Sequence, residues 1–239
     1  MLKHTKKIRE IYEDIQRKLF YMIPEKWDKL CLYASVIDEP DEDDIKGELF
    51  FYYIPKGIFR KNPVNVYEIP SKFNLDENEY LKLVEIIYMK IKRLREEFIK
   101  KNEEKEMWSN LTMIIRDSNF KVEYNYEDLK NSEFSSYERH IIWRYKYLGI
   151  GFEQINKQEK EILRRYENGA KTLVDTEVYE AGIYIKDIRN MIDYDTEITN
   201  EPEELEYEVE KTKKEKKPKK KQNQILLFEN EEKSKNTKQ

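Results

Sequence analysis

The fold is organised around one stretch of fifteen residues, which reads Ser135-Ser136-Tyr137-Glu138-Arg139-His140-Ile141-Ile142-Trp143-Arg144-Tyr145-Lys146-Tyr147-Leu148-Gly149. Ser135 and Glu138 have the spacing of a capping box, in which the hydroxyl and the carboxylate bind backbone N–H groups that the first helical turn leaves unpaired. Gly149 indicates the end of the helix, because glycine adopts the left-handed C′ conformation without steric cost. The stretch therefore predicts one complete helix.

The predicted helix carries two apolar stripes. The first recurs at three- and four-residue spacing, is typical of a core-facing surface, and comprises Tyr137, Ile141, Tyr145 and Leu148. The second comprises Trp143 and Tyr147, with the cationic residues Arg139, Arg144 and Lys146 beside it. Two stripes need two partners, and the second partner is either another part of this chain or another protein.

Alternating and helical patterns elsewhere predict an α+β domain that ends near residue 168. We expect helices over residues 5–22, 76–101 and 156–166, and strands over residues 29–37, 48–54, 110–116 and 120–126. The first of these strands has apolar residues on both faces, so both faces should be covered. The predicted architecture is a four-stranded antiparallel sheet with packed helices.

The composition changes sharply after this domain. Charged residues make up 39% of the 239 residues and hydrophobic residues 38%. This hydrophobic fraction is low for a chain that packs over its whole length. Residues 175–210 carry 13 Asp and Glu, and residues 211–221 carry eight Lys. We therefore divide the chain into a domain over residues 1–168, an extension over residues 169–200 that the pattern does not place, and a disordered charged tail over residues 201–239.

Catalytic and metal-binding chemistry is scarce. The only imidazoles are His4 and His140, Cys31 is the only cysteine and lies in a predicted strand, and the six glycines form no phosphate-binding loop. We expect no enzyme, no cofactor and no metal site. No apolar leader and no run of 18 apolar residues is present, so a cytoplasmic protein without a membrane span is expected.

An acidic tip, defined as residues 38–46, joins the first two predicted strands. It contains six carboxylates, those of Asp38, Glu39, Asp41, Glu42, Asp43 and Asp44. One interpretation is a solvated loop that keeps the end of a hairpin soluble. The other is a patch that faces a basic partner and speeds association, in which Asp41, Glu42, Asp43 and Asp44 are the candidate binding residues.

Three groups of aromatic motifs resemble a known family. They are Ile23-Pro24-Glu25-Lys26-Trp27 running into Leu32-Tyr33-Ala34, then Trp108-Ser109-Asn110-Leu111-Thr112, then Tyr137-Glu138-Arg139 with Trp143-Arg144-Tyr145-Lys146-Tyr147-Leu148-Gly149. Over roughly residues 5–168 they resemble the YezG/EsaG-type immunity proteins. One departure is Ser118-Asn119, where a glycine is expected in the turn.

The resemblance implies an antitoxin of low-GC Gram-positive bacteria. Such a protein binds the toxic domain of a cognate polymorphic toxin, often a nuclease exported by type VII secretion, and has no catalytic residues. Tight inhibitors usually concentrate their binding energy in a few aromatic and Arg anchors. Trp143, Arg144 and Tyr147 are the anchors that we predict for toxin binding.

The tail contains one apolar island, Gln224-Ile225-Leu226-Leu227-Phe228. It resembles the pentapeptide with which bacterial proteins dock on the replicative sliding clamp, and Gln224, Leu227 and Phe228 are the matching residues. A segment that folds back on this protein's own surface is the other interpretation. The Lys-rich tail would add only weak nucleic-acid contact. The alternative function is therefore that of a replication-associated interaction protein recruited to the clamp.

Overall fold

A single antiparallel sheet of six strands lies at the centre of the computed structural model, which describes residues 2–37, 47–57, 62–102, 106–117, 119–169 and 175–182. The strands are β1 Trp27–Ser35, β2 Leu49–Pro55, β3 Val64–Asn65, β4 Asn110–Arg116, β5 Asn119–Tyr126 and β6 Asp175–Gly182. Their order across the sheet is β3-β2-β1-β4-β5-β6, and every neighbouring pair is antiparallel. The predicted α+β class is confirmed.

The prediction of four strands is wrong, because β3 and β6 join the four that the sequence pattern revealed. Strand β3 has only two residues, too few to show a period. Strand β6 reads Asp-Thr-Glu-Val-Tyr-Glu-Ala-Gly and lies at the edge of the sheet, where no position is fully buried. An edge strand need not carry the alternating apolar pattern on which the prediction depended. Strand β6 lies in the segment that the sequence left unplaced.

Helices α1 (Lys6–Met22) and α3 (Glu77–Lys101) cover one face of the sheet. Both begin at side-chain caps, because the N–H of Ile8 donates to Thr5 Oγ1 at 3.3 Å and the N–H of Glu79 donates to Asp76 Oδ1 at 2.9 Å. Between these helices and the sheet lies the larger core, to which β1 contributes Leu30, Leu32 and Ala34. The short helix α2 (Ile69–Phe73) precedes α3.

Helix α4 (Ser136–Leu148) covers the opposite face, and α5 (Lys157–Gly169) packs on α4. The predicted capping box of Ser135 and Glu138 is confirmed, and Gly149 has the left-handed φ of 65°. The second stripe faces the sheet, where Trp143 and Leu148 pack with side chains of β1 and β2. The first stripe, apart from Leu148, packs towards α5. Both stripes therefore find partners within this chain.

His140 lies in the interface between α4 and the sheet. Its Nε2 is 3.0 Å from the hydroxyl of Tyr52, and its ring stacks on Phe50 with 4.2 Å between the ring centroids. Burial lowers the pKa of His140 to about 3, and the nearby charge of Arg144 acts in the same direction. The imidazole is therefore neutral in the folded protein at neutral pH.

This buried imidazole predicts acid sensitivity. The pKa of His140 falls from 6.5 in the unfolded chain to about 3 in the fold. The stability that depends on the neutral imidazole is therefore fully present above pH 6.5 and is lost as the pH falls towards 3. In that window the loss approaches about 1.4 kcal/mol per pH unit. The variant His140→Phe should show a flatter dependence of the unfolding free energy on pH between 7 and 5, measured by urea titration. Parallel curves for the variant and the wild type would contradict this account.

Candidate functional site

The residues on either side of the acidic tip form a fixed stem, which we define as Ser35, Val36, Gly47 and Glu48. The tip itself lies outside the described residues. The N–H of Ser35 donates to the carbonyl of Glu48 at 2.9 Å, and the N–H of Glu48 donates to Ser35 Oγ at 3.0 Å. The N–H of Val36 donates to the carbonyl of Ser109 at 2.8 Å. The stem is thus hydrogen-bonded across itself and to the segment that leads into β4.

Helix α3 fixes the stem from one side of the sheet. The hydroxyl of Tyr88 donates to the carbonyl of Ser35 at 3.0 Å. A Cβ atom on Gly47 would lie 1.7 Å from that hydroxyl oxygen and 2.2 Å from the carbonyl oxygen of Ser35. The close approach of helix and stem therefore requires glycine at position 47.

A row of polar side chains begins at two stem residues and continues across the ends of the neighbouring strands, on the side of the sheet that α4 covers. We define this polar row as Ser35, Glu48, Asn110, Asn125 and Glu127. Ser35 is paired with Asn110, and Asn110 with Asn125, in the register of the sheet. Asn125 Nδ2 donates to Asn110 Oδ1 at 2.9 Å, and Asn110 Nδ2 donates to Glu127 Oε2 at 3.2 Å. The row brings the carboxylates of Glu48 and Glu127 to the same end of the sheet.

Arg139 connects the polar row to the first turn of α4. Its Nη1 donates to the carbonyl of Phe134 at 2.8 Å, and its Nη2 lies 2.7 Å from Glu48 Oε1. The two side chains of this ion pair are 13% and 4% exposed. Burial raises the pKa of Glu48, while the guanidinium of Arg139 acts to lower it. The ion pair holds the start of α4 against the stem.

The predicted anchors lie within the folded chain. Trp143 is 4% exposed and its Nε1 donates to Thr112 Oγ1 at 3.1 Å. The hydroxyl of the half-buried Tyr147 donates to Glu123 Oε2 at 2.5 Å. Arg144 lies 3.6 Å from a carboxylate oxygen of Glu159 on α5. Toxin contact by these three residues stays a prediction, since nothing in the unbound chain tests it.

Sequence reasoning missed most of this site. The sequence pattern places Glu48 in a strand and Arg139 beside a stripe, and it marks neither as a site residue. One feature of the sequence does point to Glu48, because its spacing of two residues places it on the same face as the inward-facing residues Phe50 and Tyr52. A carboxylate at an inward position of a buried strand requires a partner.

The structure also bears on the other functional features considered from the sequence. Cys31 is buried, and burial raises the pKa of its thiol to about 11, so the thiol stays protonated at neutral pH. Over the described ranges, no group of three or more His, Cys, Asp or Glu could hold a metal ion. No helix in that part of the chain is long and apolar enough to span a membrane. The clamp-like residues Gln224, Leu227 and Phe228 lie outside the described residues.

Comparison with known proteins identifies relatives of this chain. The profile of a family described as "Immunity protein YezG-like" matches residues 8–163. The chain is 33% identical over 147 residues to "Immunity protein YezG" of Bacillus spizizenii, covering 61% of this chain and 85% of the relative. It is 32% identical over 160 residues to "Immunity protein YezG" of Bacillus subtilis, covering 66% of this chain and 98% of the relative.

A third relative is "Type VII secretion system protein EsaG" of Staphylococcus aureus, which is 31% identical over 146 residues, covering 60% of this chain and 83% of the relative. The matched span contains strands β1–β5, the stem and the polar row, whereas β6 lies beyond it. The resemblance inferred from the aromatic motifs is confirmed, and the chain belongs to the YezG-like immunity protein family.

Proposed function

We propose that the protein is a cytoplasmic antitoxin that binds the toxic domain of a cognate toxin and keeps it inactive. Family membership supports the immunity role, and the name of the EsaG relative supports a toxin exported by type VII secretion. The observation that carries the proposal is the fixed stem of the acidic tip, held by α3, by α4 and by the segment before β4.

The charge of the tip favours a nuclease as the target. A nuclease must attract phosphate, so the surface around its active site is positively charged. Six carboxylates between residues 38 and 44 would complement such a surface and raise the association rate.

Inhibition in this proposal needs binding and no chemistry. Sub-nanomolar affinity corresponds to more than about 12 kcal/mol of net binding free energy. Charges mainly set the association rate and the specificity, whereas buried contacts set most of the affinity. The acidic tip would therefore bring the toxin to the stem end of the sheet, where closer contacts complete the complex.

Growth rescue tests the immunity role directly. A candidate toxin domain from a neighbouring reading frame is expressed together with the full chain or with residues 1–182. The shorter form retains β6, which pairs along the whole of β5 and places Tyr179 against the main core. We expect both forms to restore growth. Failure of the full chain to protect against the neighbouring toxin would contradict the proposal.

A second candidate function concerns the tail and is supported by the sequence alone. Gln224, Leu227 and Phe228 match the pattern of a clamp-docking peptide within a segment otherwise rich in Lys and Glu. Leu227 and Phe228 could each contribute about 1.5–3 kcal/mol on entering an apolar pocket. A peptide of residues 220–232 should then bind the sliding clamp with micromolar affinity in calorimetry, and a Leu227→Ala, Phe228→Ala peptide should not. The absence of heat from the unmodified peptide would remove this function.

A further inference from the structure

Three buried polar atoms at the stem have no hydrogen-bond partner in the part of the chain that the structure describes. They are the hydroxyl oxygen of Tyr33, Oε2 of Glu48 and Nε of Arg139. Tyr33 is 5% exposed and Glu48 is 3% exposed. Leaving a buried polar atom without a partner is unfavourable, and such groups are rare in native proteins. Three of them close together point to a partner outside the described residues.

The three atoms belong to one cluster on the α4 side of the sheet. Tyr33 is two residues before Ser35 on β1 and so shares its face, and its ring stacks on Phe50 of β2 with 4.8 Å between centroids. Burial raises the pKa of Tyr33 and the carboxylate of Glu48 raises it further, whereas Arg139 and the side chain of Ser35 act to lower it. The charge of Glu127 acts on both Tyr33 and Glu48. Arg139 joins the cluster through its ion pair with Glu48.

The charges of this cluster do not balance. Among the described residues of the cluster, two side chains are acidic, those of Glu48 and Glu127, and one is basic, that of Arg139. The unused carboxylate oxygen of Glu48 accepts hydrogen bonds only, and the hydroxyl of Tyr33 can also accept. An ammonium or guanidinium group would supply donors to both and would neutralise the excess charge. The Nε–H of Arg139 needs an acceptor, which a peptide carbonyl of the same partner segment can provide.

We propose that Tyr33, Glu48 and Glu127 form a cation-binding socket, a site that receives a Lys or Arg side chain of the toxin when the complex forms. The proposal rests on the proposed function, and it adds the residue-level contact that the acidic tip alone does not specify. The tip attracts a basic surface, and the socket beside the tip then takes one side chain from that surface. Because Tyr33 and Glu48 are almost fully buried in the unbound chain, entry includes a local rearrangement of the stem.

The variant Tyr33→Phe separates this socket from a merely structural polar cluster. In the full-length chain, removing a hydroxyl that has no hydrogen-bond partner among the described residues should leave the melting temperature unchanged or raise it. Binding to a catalytically inactive form of the neighbouring toxin domain should weaken by about tenfold, since one hydrogen bond to a charged group is lost. A matched control is Tyr145→Phe, which removes a hydroxyl of α4 that donates to the exposed Glu167 of α5. This control should change neither quantity.

Glu127→Gln provides a second test at a half-buried position. The amide oxygen can still accept from Asn110, so the fold should be kept while toxin affinity and its dependence on salt both fall. If the cluster instead holds only a water molecule, Tyr33→Phe should lower the melting temperature and leave the dissociation constant unchanged, and the socket would be overturned. Toxin binding that neither variant weakens would overturn the socket alone. Absence of binding by the wild-type chain would overturn the proposed function as well.

Discussion

Strand β1 must be covered on both of its faces, and the rest of the structure depends on this constraint. Leu30, Leu32 and Ala34 point to one side of the sheet, whereas Cys31 and Tyr33 point to the other. Exposed apolar area on either side would lose the main favourable contribution to folding. Helices α1 and α3 meet the first requirement and α4 meets the second. The central strand thus makes a three-layer arrangement of helix, sheet and helix necessary.

The position of the candidate site follows from how α4 is held on the sheet. Trp143 fixes the middle of the helix through packing and through its bond to Thr112. Arg139 fixes the first turn through its ion pair with Glu48. Apolar residues of similar size often replace a buried ion pair without loss of stability, so stability alone does not explain this one. The pair instead joins the start of α4 to the stem and to the polar row at one end of the sheet.

The sequence predicts correctly the helices and strands whose signals lie within the element itself. Thr5, Asp76, Ser135 and Asn156 cap helices within three residues of themselves. Strand β5 shows its burial as a period of two, whereas β1, β2 and β4 are short runs that are buried almost throughout. Strands β3 and β6 were not predicted, because one is too short and the other is exposed. In the site, the acidic tip was visible as a run of charge. The polar row was not, because it exists only through the register of four strands and the placement of Arg139 on a separate helix.

The central claim is that the toxin is recognised at the stem end of the sheet. Hydrogen exchange of the backbone amides, measured for the full chain alone and in complex with the neighbouring toxin domain, tests this claim most directly. The account predicts that the complex gains protection at residues 33–48, 109–110 and 127, while α5 and β6 keep their exchange rates. Protection confined to α5 or β6, with unchanged exchange at the stem, would contradict it.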